Sequence, residues 1–311
     1  MADPTVPAEL AVPVDFDARY GAGIDRGVSL GGGGLYFVAW LVGYLHGMAR
    51  AGLDLGDADR MVGTSAGSLV ATSLTGGHLA RLYAEVSLLS KAPKLVAALA
   101  PAGDLAPSQQ RALDRFLGAG DAEPGTVRAI GHAALAAATP SPASMTRRLA
   151  VVVAERRWPS DALAVTCVDA YSGERCVVTR AAGVPVARAV AASSAVPGIF
   201  PPQPVGDRRC MDGGVSGTGT HPDLLAGAGR AVVLSLTDGH DMVQGTMTVA
   251  PGGTADGIAR LEASGTRVFL RTPDGVDPGE LMAPSAVPRA LTMGARQAVE
   301  DRVELGRFWG N

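Results

Sequence analysis

The chain has 311 residues, of which 47% are hydrophobic and 18% are charged, and its formal net charge is −3. This length and apolar content are typical of a globular protein with a large buried core. The slightly acidic balance argues against a nucleic-acid partner, and none is expected. Nothing in the sequence points to a particular oligomeric state.

The three cysteines, Cys167, Cys176 and Cys210, are too few for a disulfide framework. We expect reduced thiols in a cytoplasmic protein, and the alternative is a bridge between Cys167 and Cys176 across a predicted hairpin. The first 23 residues lack the basic start and apolar stretch of a signal peptide, and no segment is typical of a transmembrane span. Transient contact with a membrane surface stays open.

The N-terminal part predicts alternating strands and helices. Residues 1–25, rich in Pro and Asp, are expected to form an irregular arm, and residues 26–311 a single domain. GVSL predicts a strand, the apolar run from Leu35 to about Gly52 a buried helix, ADRMVG a second strand, and SAGSLVATSLTGG a second helix. This alternation is typical of a mostly parallel sheet.

The rest of the chain predicts a helical insert followed by further strands. Residues 79–158 are rich in Ala and Leu and interrupted by prolines, which predicts several helices that form either a layer on the sheet or a lid. ALAVTCVDAYSGERCVVTR predicts a hairpin that turns at Ser172-Gly173. VPVARAVAASSAV predicts a helix, AVVLSL and RVFLRT predict strands, and residues 286–309 predict a C-terminal helix of mixed charge.

VGTSAGSL contains the pattern Gly63-x-Ser65-x-Gly67. About 0.3 such matches are expected by chance in a chain of this length and composition, so the pattern alone is weak evidence. Here it follows a short apolar strand and opens a helix, which is the context that a nucleophile elbow requires. Small residues flank the serine because its backbone is strained and tightly packed. The sequence therefore predicts Ser65 as a nucleophile beside the N–H groups of a helix N-terminus.

Four glycines follow the first predicted strand: Gly31, Gly32, Gly33 and Gly34. The sixth position counted from Gly31 is Tyr36, so this is not the dinucleotide-binding fingerprint, and no Gly-Lys-Ser/Thr follows as in a P-loop. A run of unshielded backbone N–H groups at a helix start suits a developing oxyanion. The alternative is a plain flexible turn.

A serine nucleophile needs a base, and the five histidines offer no clear one. They are His46, His78, His132, His221 and His240. Only His221 and His240 follow predicted strand ends. MDGGV places Asp212 at a strand end before Gly213 and Gly214, which let another backbone approach and leave the carboxylate facing the site. The alternative for Asp212 is a common Asp-Gly turn.

Three blocks occur in order: SLGGGG, GTSAGS, and ASSAVPGIFPP leading to MDGGV. Together, over about residues 28–240, they resemble the patatin-like phospholipase family. The resemblance implies a three-layer α/β/α fold with a central, mostly parallel sheet. It also implies a Ser-Asp dyad without histidine, in which Ser65 is the nucleophile and Asp212 the general base, and an oxyanion hole at Gly31 to Gly34. The implied substrate is a lipid or other acyl ester, cleaved without cofactor or metal by a reaction of the phospholipase A, lysophospholipase or lipase type.

Two departures from the family pattern lie beside the predicted site. The family loop usually carries Lys or Arg shortly after its glycines, where this chain has Leu35, Tyr36 and Phe37, and VSGTGTHP stands where Asn-x-Pro often follows DGG. Either difference is expected to alter the substrate or to weaken the activity. Two alternatives therefore stay open: a catalytically silent or regulatory lipid-binding protein on the same fold, and a Ser-His-Asp esterase or acyltransferase that uses His221 or His240.

Overall fold

A computed structural model describes residues 10–91, 104–238 and 253–310. Within these ranges eight strands form one sheet: β1 Arg26–Leu30, β2 Arg60–Thr64, β3 Leu163–Asp169, β4 Arg175–Val178, β5 Gln203–Val205, β6 Arg208–Asp212, β7 Arg230–Leu234 and β8 Arg267–Arg271. The same ranges hold nine α-helices: α1 Gly34–Arg50, α2 Ala66–Thr75, α3 Leu79–Ser90, α4 Pro107–Leu117, α5 Pro124–Ala136, α6 Pro142–Val153, α7 Val186–Ser193, α8 Gly253–Ala263 and α9 Val287–Gly310.

The hydrogen-bonded order of the sheet is β5-β6-β3-β2-β1-β7-β8, with β4 paired to β3. The pairs β1–β2, β1–β7, β2–β3 and β7–β8 are parallel, whereas β3–β4, β3–β6 and β5–β6 are antiparallel. The predicted mostly parallel sheet between helices is confirmed. The hairpin that turns at Ser172-Gly173 is also confirmed, as the β3–β4 pair.

The two faces of the sheet pack against different helices. Alternate residues of a strand point to opposite faces. On β7, Val232 and Leu234 belong to the main core together with α1 and α9, whereas Ala231 and Val233 belong to a second core together with Leu261 of α8. Helices therefore cover both faces, as the three-layer prediction requires.

The α1 helix is buried, as its nearly continuous apolar sequence predicts. It packs closely on α9 because glycines stand where the helices meet. A Cβ on Gly43 would lie 2.2 Å from the Leu291 carbonyl oxygen, and a Cβ on Gly294 would lie 2.2 Å from the Trp40 carbonyl oxygen. This contact fixes α1, and with it the glycine loop at its N-terminus.

The predicted insert at residues 79–158 contains α3, α4, α5 and α6, and residues 92–103 within it lie outside the described ranges. Its prolines do more than interrupt helices. Three of them are the first residues of helices: Pro107 of α4, Pro124 of α5 and Pro142 of α6. Proline suits this position because a backbone N–H there would have no acceptor within the helix.

The predicted N-terminal arm is described from residue 10 onward. It is irregular there, apart from a single bridge between Ala11 and Cys176, and Val12, Phe16 and Tyr20 are buried in the second core. The division into an arm and one domain stays a prediction.

Cys167 and Cys176 lie opposite each other on β3 and β4 as free thiols, and Cys210 is also free. None of the helices described is long and apolar enough to span a bilayer.

Candidate active site

Ser65 lies at the turn between β2 and α2. Its φ of 51° falls in a region that side chains other than glycine rarely adopt, which is the strain expected of a nucleophile elbow. A Cβ on Gly67 would lie 2.0 Å from the Leu30 carbonyl oxygen, and a Cβ on Gly63 would lie 2.7 Å from the Ser68 Cα. The two glycines of the pattern are therefore required by packing.

A residue that the sequence analysis did not single out holds the elbow. Ser193, the last residue of α7, accepts a hydrogen bond from the Ser65 N–H at 2.8 Å and is fully buried. The Ser68 hydroxyl donates to the Ser65 carbonyl at 2.7 Å. The sequence does contain one indication of Ser193. In the block ASSAVPGIFPP, its hydroxyl is a polar group on the otherwise apolar face of a short predicted helix.

The glycine loop lies directly beside Ser65. A Cβ on Gly32 would be 3.2 Å from the Ser65 Cβ. The first two N–H groups of the loop are engaged, since Gly31 donates to the Leu234 carbonyl at 2.9 Å and Gly32 donates to the Gly219 carbonyl at 3.3 Å.

The next two N–H groups of the loop differ. Gly33 and Gly34 stand at the N-terminus of α1, where backbone N–H groups have no intrahelical acceptor. No acceptor for them is present among the described residues. Of the four N–H groups predicted as donors, two are therefore hydrogen-bonded within the protein and two can donate to a ligand.

Strand register brings Asp212 to Ser65. Three strands pair with β3. Residues 163–166 of β3 pair with β2, residues 167–169 pair with β6, and residues 165–168 pair with β4. Because β4 overlaps both partners, β2 and β6 must share the opposite edge of β3. They run in opposite directions, so Thr64 and Asp212 end opposite the adjacent residues Thr166 and Cys167.

Asp212 is almost fully buried, with 1% of its surface exposed. Its Oδ1 accepts a hydrogen bond from the Gly214 N–H at 2.9 Å, and its Oδ2 has no hydrogen-bond partner among the described residues. Gly213 is required here because a Cβ would lie 2.7 Å from the Thr166 carbonyl oxygen.

Burial raises the pKa of the Asp212 carboxyl to about 6, against the opposing effects of the Ser65 hydroxyl and the Gly214 N–H. The Ser65 hydroxyl therefore lies close enough to stabilise the carboxylate, although no hydrogen bond of ordinary geometry joins the two side chains. The structure brings the two predicted dyad residues together.

None of the histidines described takes this position. His221 is fully buried, and its Nδ1 lies 3.5 Å from a guanidinium nitrogen of Arg175, which forms an ion pair with Asp223 at 2.6 Å. Burial, and then the Arg175 charge, lowers the pKa of His221 well below its ordinary value. His78 pairs with Glu155.

The other histidines add no candidate base. His46 stacks on Tyr83, and His132 is exposed on α5. His240 lies outside the described residues. Within the described ranges, no group of three His, Cys, Asp or Glu residues could hold a metal ion.

No curated protein matches the chain. Among solved structures, the type III effector protein ExoU is similar at 17% sequence identity and a TM-score of 0.33, over 90% of this chain and 53% of that one. The chain thus spans about half the length of that protein. The family model described as "Patatin-like phospholipase" matches residues 28–223, more than half of the chain. The chain therefore belongs to the patatin-like phospholipase family.

Proposed function

We propose that the protein is a serine acyl hydrolase that cleaves lipid esters, of the phospholipase A, lysophospholipase or lipase type. Ser65 is the nucleophile and Asp212 the general base. Family membership supports the lipid ester as substrate class. The observation that carries the proposal is a strained elbow serine beside a buried carboxylate on the facing strand end.

The Ser65 hydroxyl attacks the ester carbon while Asp212 accepts its proton, and the alcohol leaves with that proton. Water, deprotonated by Asp212, then attacks the acyl carbon. The bond from the acyl carbon to Ser65 Oγ breaks, Asp212 returns the proton to Ser65, and the fatty acid is released. A carboxylate with a pKa near 6 is a stronger base than an ordinary aspartate, yet it is mostly ionised at pH 7. Its Oδ2, which lacks a hydrogen-bond partner in the part of the chain that the structure describes, is the atom that suits the incoming proton.

Backbone N–H groups stabilise the oxyanion in this proposal. Gly33 and Gly34 supply donors from the loop, because the N–H groups of Gly31 and Gly32 are already bonded. Ala66, the first residue of α2, supplies a further donor next to Ser65, as in other nucleophile elbows. Loss of one such donor costs roughly 3–4 kcal/mol in related chemistry.

A panel of phospholipids, lysophospholipids, triglycerides and p-nitrophenyl esters tests the proposal with wild type, Ser65→Ala and Asp212→Ala. We expect hydrolysis by wild type and a loss of about 10⁴-fold or more in each variant, with the fold retained by circular dichroism. Near-normal turnover by Asp212→Ala would refute the dyad. Full activity of His221→Ala and His240→Ala would separate the dyad from a Ser-His-Asp site.

The second candidate is a catalytically silent lipid-binding protein. The missing cation after the glycine loop favours it, because Tyr36 and Phe37 stand there fully buried in the core. A fluorophosphonate probe discriminates. Labelling of wild type and not of Ser65→Ala supports the hydrolase, and no labelling of folded protein with or without lipid supports the silent scaffold.

A further inference from the structure

One face of α6 exposes two valines that alternate with two arginines around the helix. Residues 147, 148, 151 and 152 fall within an arc of roughly 140° on a helix of 3.6 residues per turn. Val151 is 74% exposed and Val152 40%, and both Arg147 and Arg148 are exposed beside them. Large apolar side chains at such exposure on a well-packed helix call for an explanation.

The rest of the circumference of α6, which begins next to Val152, is fixed to the protein. Met145 is buried against Ala191 and Ala195, next to the α7 residue that holds the elbow. The Thr146 hydroxyl bonds the Gln203 side chain at 3.0 Å. The exposed valines therefore result from a firmly placed helix.

The exposed charged residues near the valines in sequence are all positive. After α6 the chain turns at Ala154, which has a φ of 57°, and Arg156 and Arg157 follow as exposed residues. Glu155 is the one acid between residues 142 and 158. It pairs with His78 at 3.0 Å and is only 16% exposed, so it is turned away from the surface.

Four exposed guanidinium groups on α6 and directly after it, those of Arg147, Arg148, Arg156 and Arg157, form no ion pair with any carboxylate of the described residues. They stand in a chain whose net charge is −3. We call these arginines together with Val151 and Val152 the basic-valine face.

We propose that the basic-valine face docks the protein on an anionic lipid bilayer. Clustered arginines attract anionic headgroups, and apolar side chains between them enter the headgroup region. A nucleic acid would use the arginines but would leave the valines exposed. The proposal rests on the proposed function only in that a lipid substrate gives the contact a purpose, since docking itself requires no hydrolysis.

The α9 helix provides a natural comparison. Val299 and Val303 are 59% and 55% exposed there, one turn apart. Their neighbours are Glu300 and Glu304, and the nearby Arg296 is bonded to Glu300 at 2.7 Å. Arg302 is a further exposed neighbour. The apolar exposure is similar, but acids and arginines are mixed around these valines, so this face offers no uniformly basic cluster to an anionic surface.

The test measures vesicle binding in a Ser65→Ala background, so that hydrolysis cannot alter the lipid. Vesicles of phosphatidylcholine with 30% phosphatidylglycerol are sedimented with the protein and compared with phosphatidylcholine alone. We expect binding to the anionic vesicles that weakens with salt. Arg147→Gln/Arg148→Gln should weaken it about thirtyfold, and Val151→Ser/Val152→Ser about tenfold. The matched control, Val299→Ser/Val303→Ser, should bind like its parent.

Each contrary result overturns the docking proposal. These results are equal binding to neutral vesicles, unchanged binding by both basic-valine variants, or binding to a DNA duplex without binding to vesicles. Apart from Ser65 in the background, all substituted residues are exposed, and thermal melting checks that every variant is folded. Anionic binding by a protein without esterase activity would leave docking in place and refute the proposed function instead.

Discussion

The two halves of the candidate site are held in different ways. On the nucleophile side, packing fixes the backbone. Ser193 accepts the Ser65 N–H, and a backbone carbonyl fills the space beside Gly67. On the base side, Asp212 is buried with one hydrogen bond to Oδ1, and Oδ2 has no partner within the described ranges; burial raises its pKa to about 6.

This difference means that the position of Ser65 and the basicity of Asp212 have separate physical causes. Close backbone contacts set where the Ser65 hydroxyl lies, because they leave the elbow no alternative conformation. Removal from water sets how strongly Asp212 binds a proton, because a carboxylate loses hydration on burial. Substitutions on the nucleophile side should therefore act through structure, and those on the base side through charge.

Gly67→Ala should have the largest structural effect. Its new Cβ would lie 2.0 Å from the carbonyl oxygen of Leu30, which belongs to the central strand β1. Neither the backbone of β1 nor that of α2 can move away. We expect the free energy of unfolding to fall by about 4 kcal/mol or more. Urea denaturation measures it.

Gly306→Ala is the matched control, because it makes the same change within a helix with open space around the site. It should be neutral or stabilising by about 0.5–1 kcal/mol. Equal stability of the Gly67→Ala variant and wild type would contradict steric control of the elbow.

Asp212→Asn should change stability in a pH-dependent way. The folded-state pKa lies above the ordinary value of 3.8, so the folded protein binds the proton more tightly than the unfolded chain. Below pH 4 Asp212 is protonated in both states and does not lower the stability of the fold. As pH rises from 4 to about 6, burial of Asp212 lowers the free energy of unfolding. Above that pH the variant should be more stable than wild type by about 3 kcal/mol, with little difference below pH 4.

Denaturant unfolding of wild type and Asp212→Asn at pH 4 and pH 8 measures this difference. The amide keeps the shape of the carboxylate and an acceptor for the Gly214 N–H, so the comparison isolates the charge. A variant that is less stable than wild type at pH 8 would show that the buried charge is well compensated, contrary to the contrast drawn above.

The sequence revealed these two halves unequally, for the same physical reason. Steric demand leaves a visible trace, because the backbone contacts at residues 63 and 67 admit only glycine. The strand and helix around Ser65 were predictable from their local patterns. Asp212 carries a weaker trace. Its position at a strand end before two glycines made it a candidate, but an Asp-Gly turn is common, and its role as the base came from the resemblance to a family.

What the sequence could not provide is register. Ser65 and Asp212 meet because β2 and β6 share one edge of β3, and that arrangement depends on pairing between distant segments: Met61 pairs with Leu163, 102 positions away, and Cys167 pairs with Asp212, 45 positions away. Periodicity reports which residues form strands and says nothing about which strands are neighbours. The role of Ser193 was hidden for the same reason, because its partner lies 128 positions away.

Ser193→Ala tests whether the elbow is positioned from α7. The substitution leaves the buried Ser65 N–H without its acceptor, which costs about 1–3 kcal/mol of stability. Because Ser193 acts on the backbone of Ser65, we expect kcat to fall about tenfold with KM little changed. Ser194→Ala, the neighbouring and partly exposed serine, is the control and should behave like wild type. A rise in KM alone would place Ser193 in substrate binding.

The smallest expected effect is the pH dependence of the wild-type rate, and it joins the two halves of the site. Asp212 acts as a base only when ionised, so kcat/KM should rise with pH around a midpoint near 6. The increase between pH 5 and pH 7 should be about tenfold, the ratio of ionised fractions for one such group. Thermal melting at pH 5 excludes unfolding as the cause. Stability and rate then depend on the same proton in opposite senses: rising pH makes Asp212 costlier to bury and more able to activate Ser65. A rate that is flat across this range would mean that the Asp212 proton does not limit the attack by Ser65.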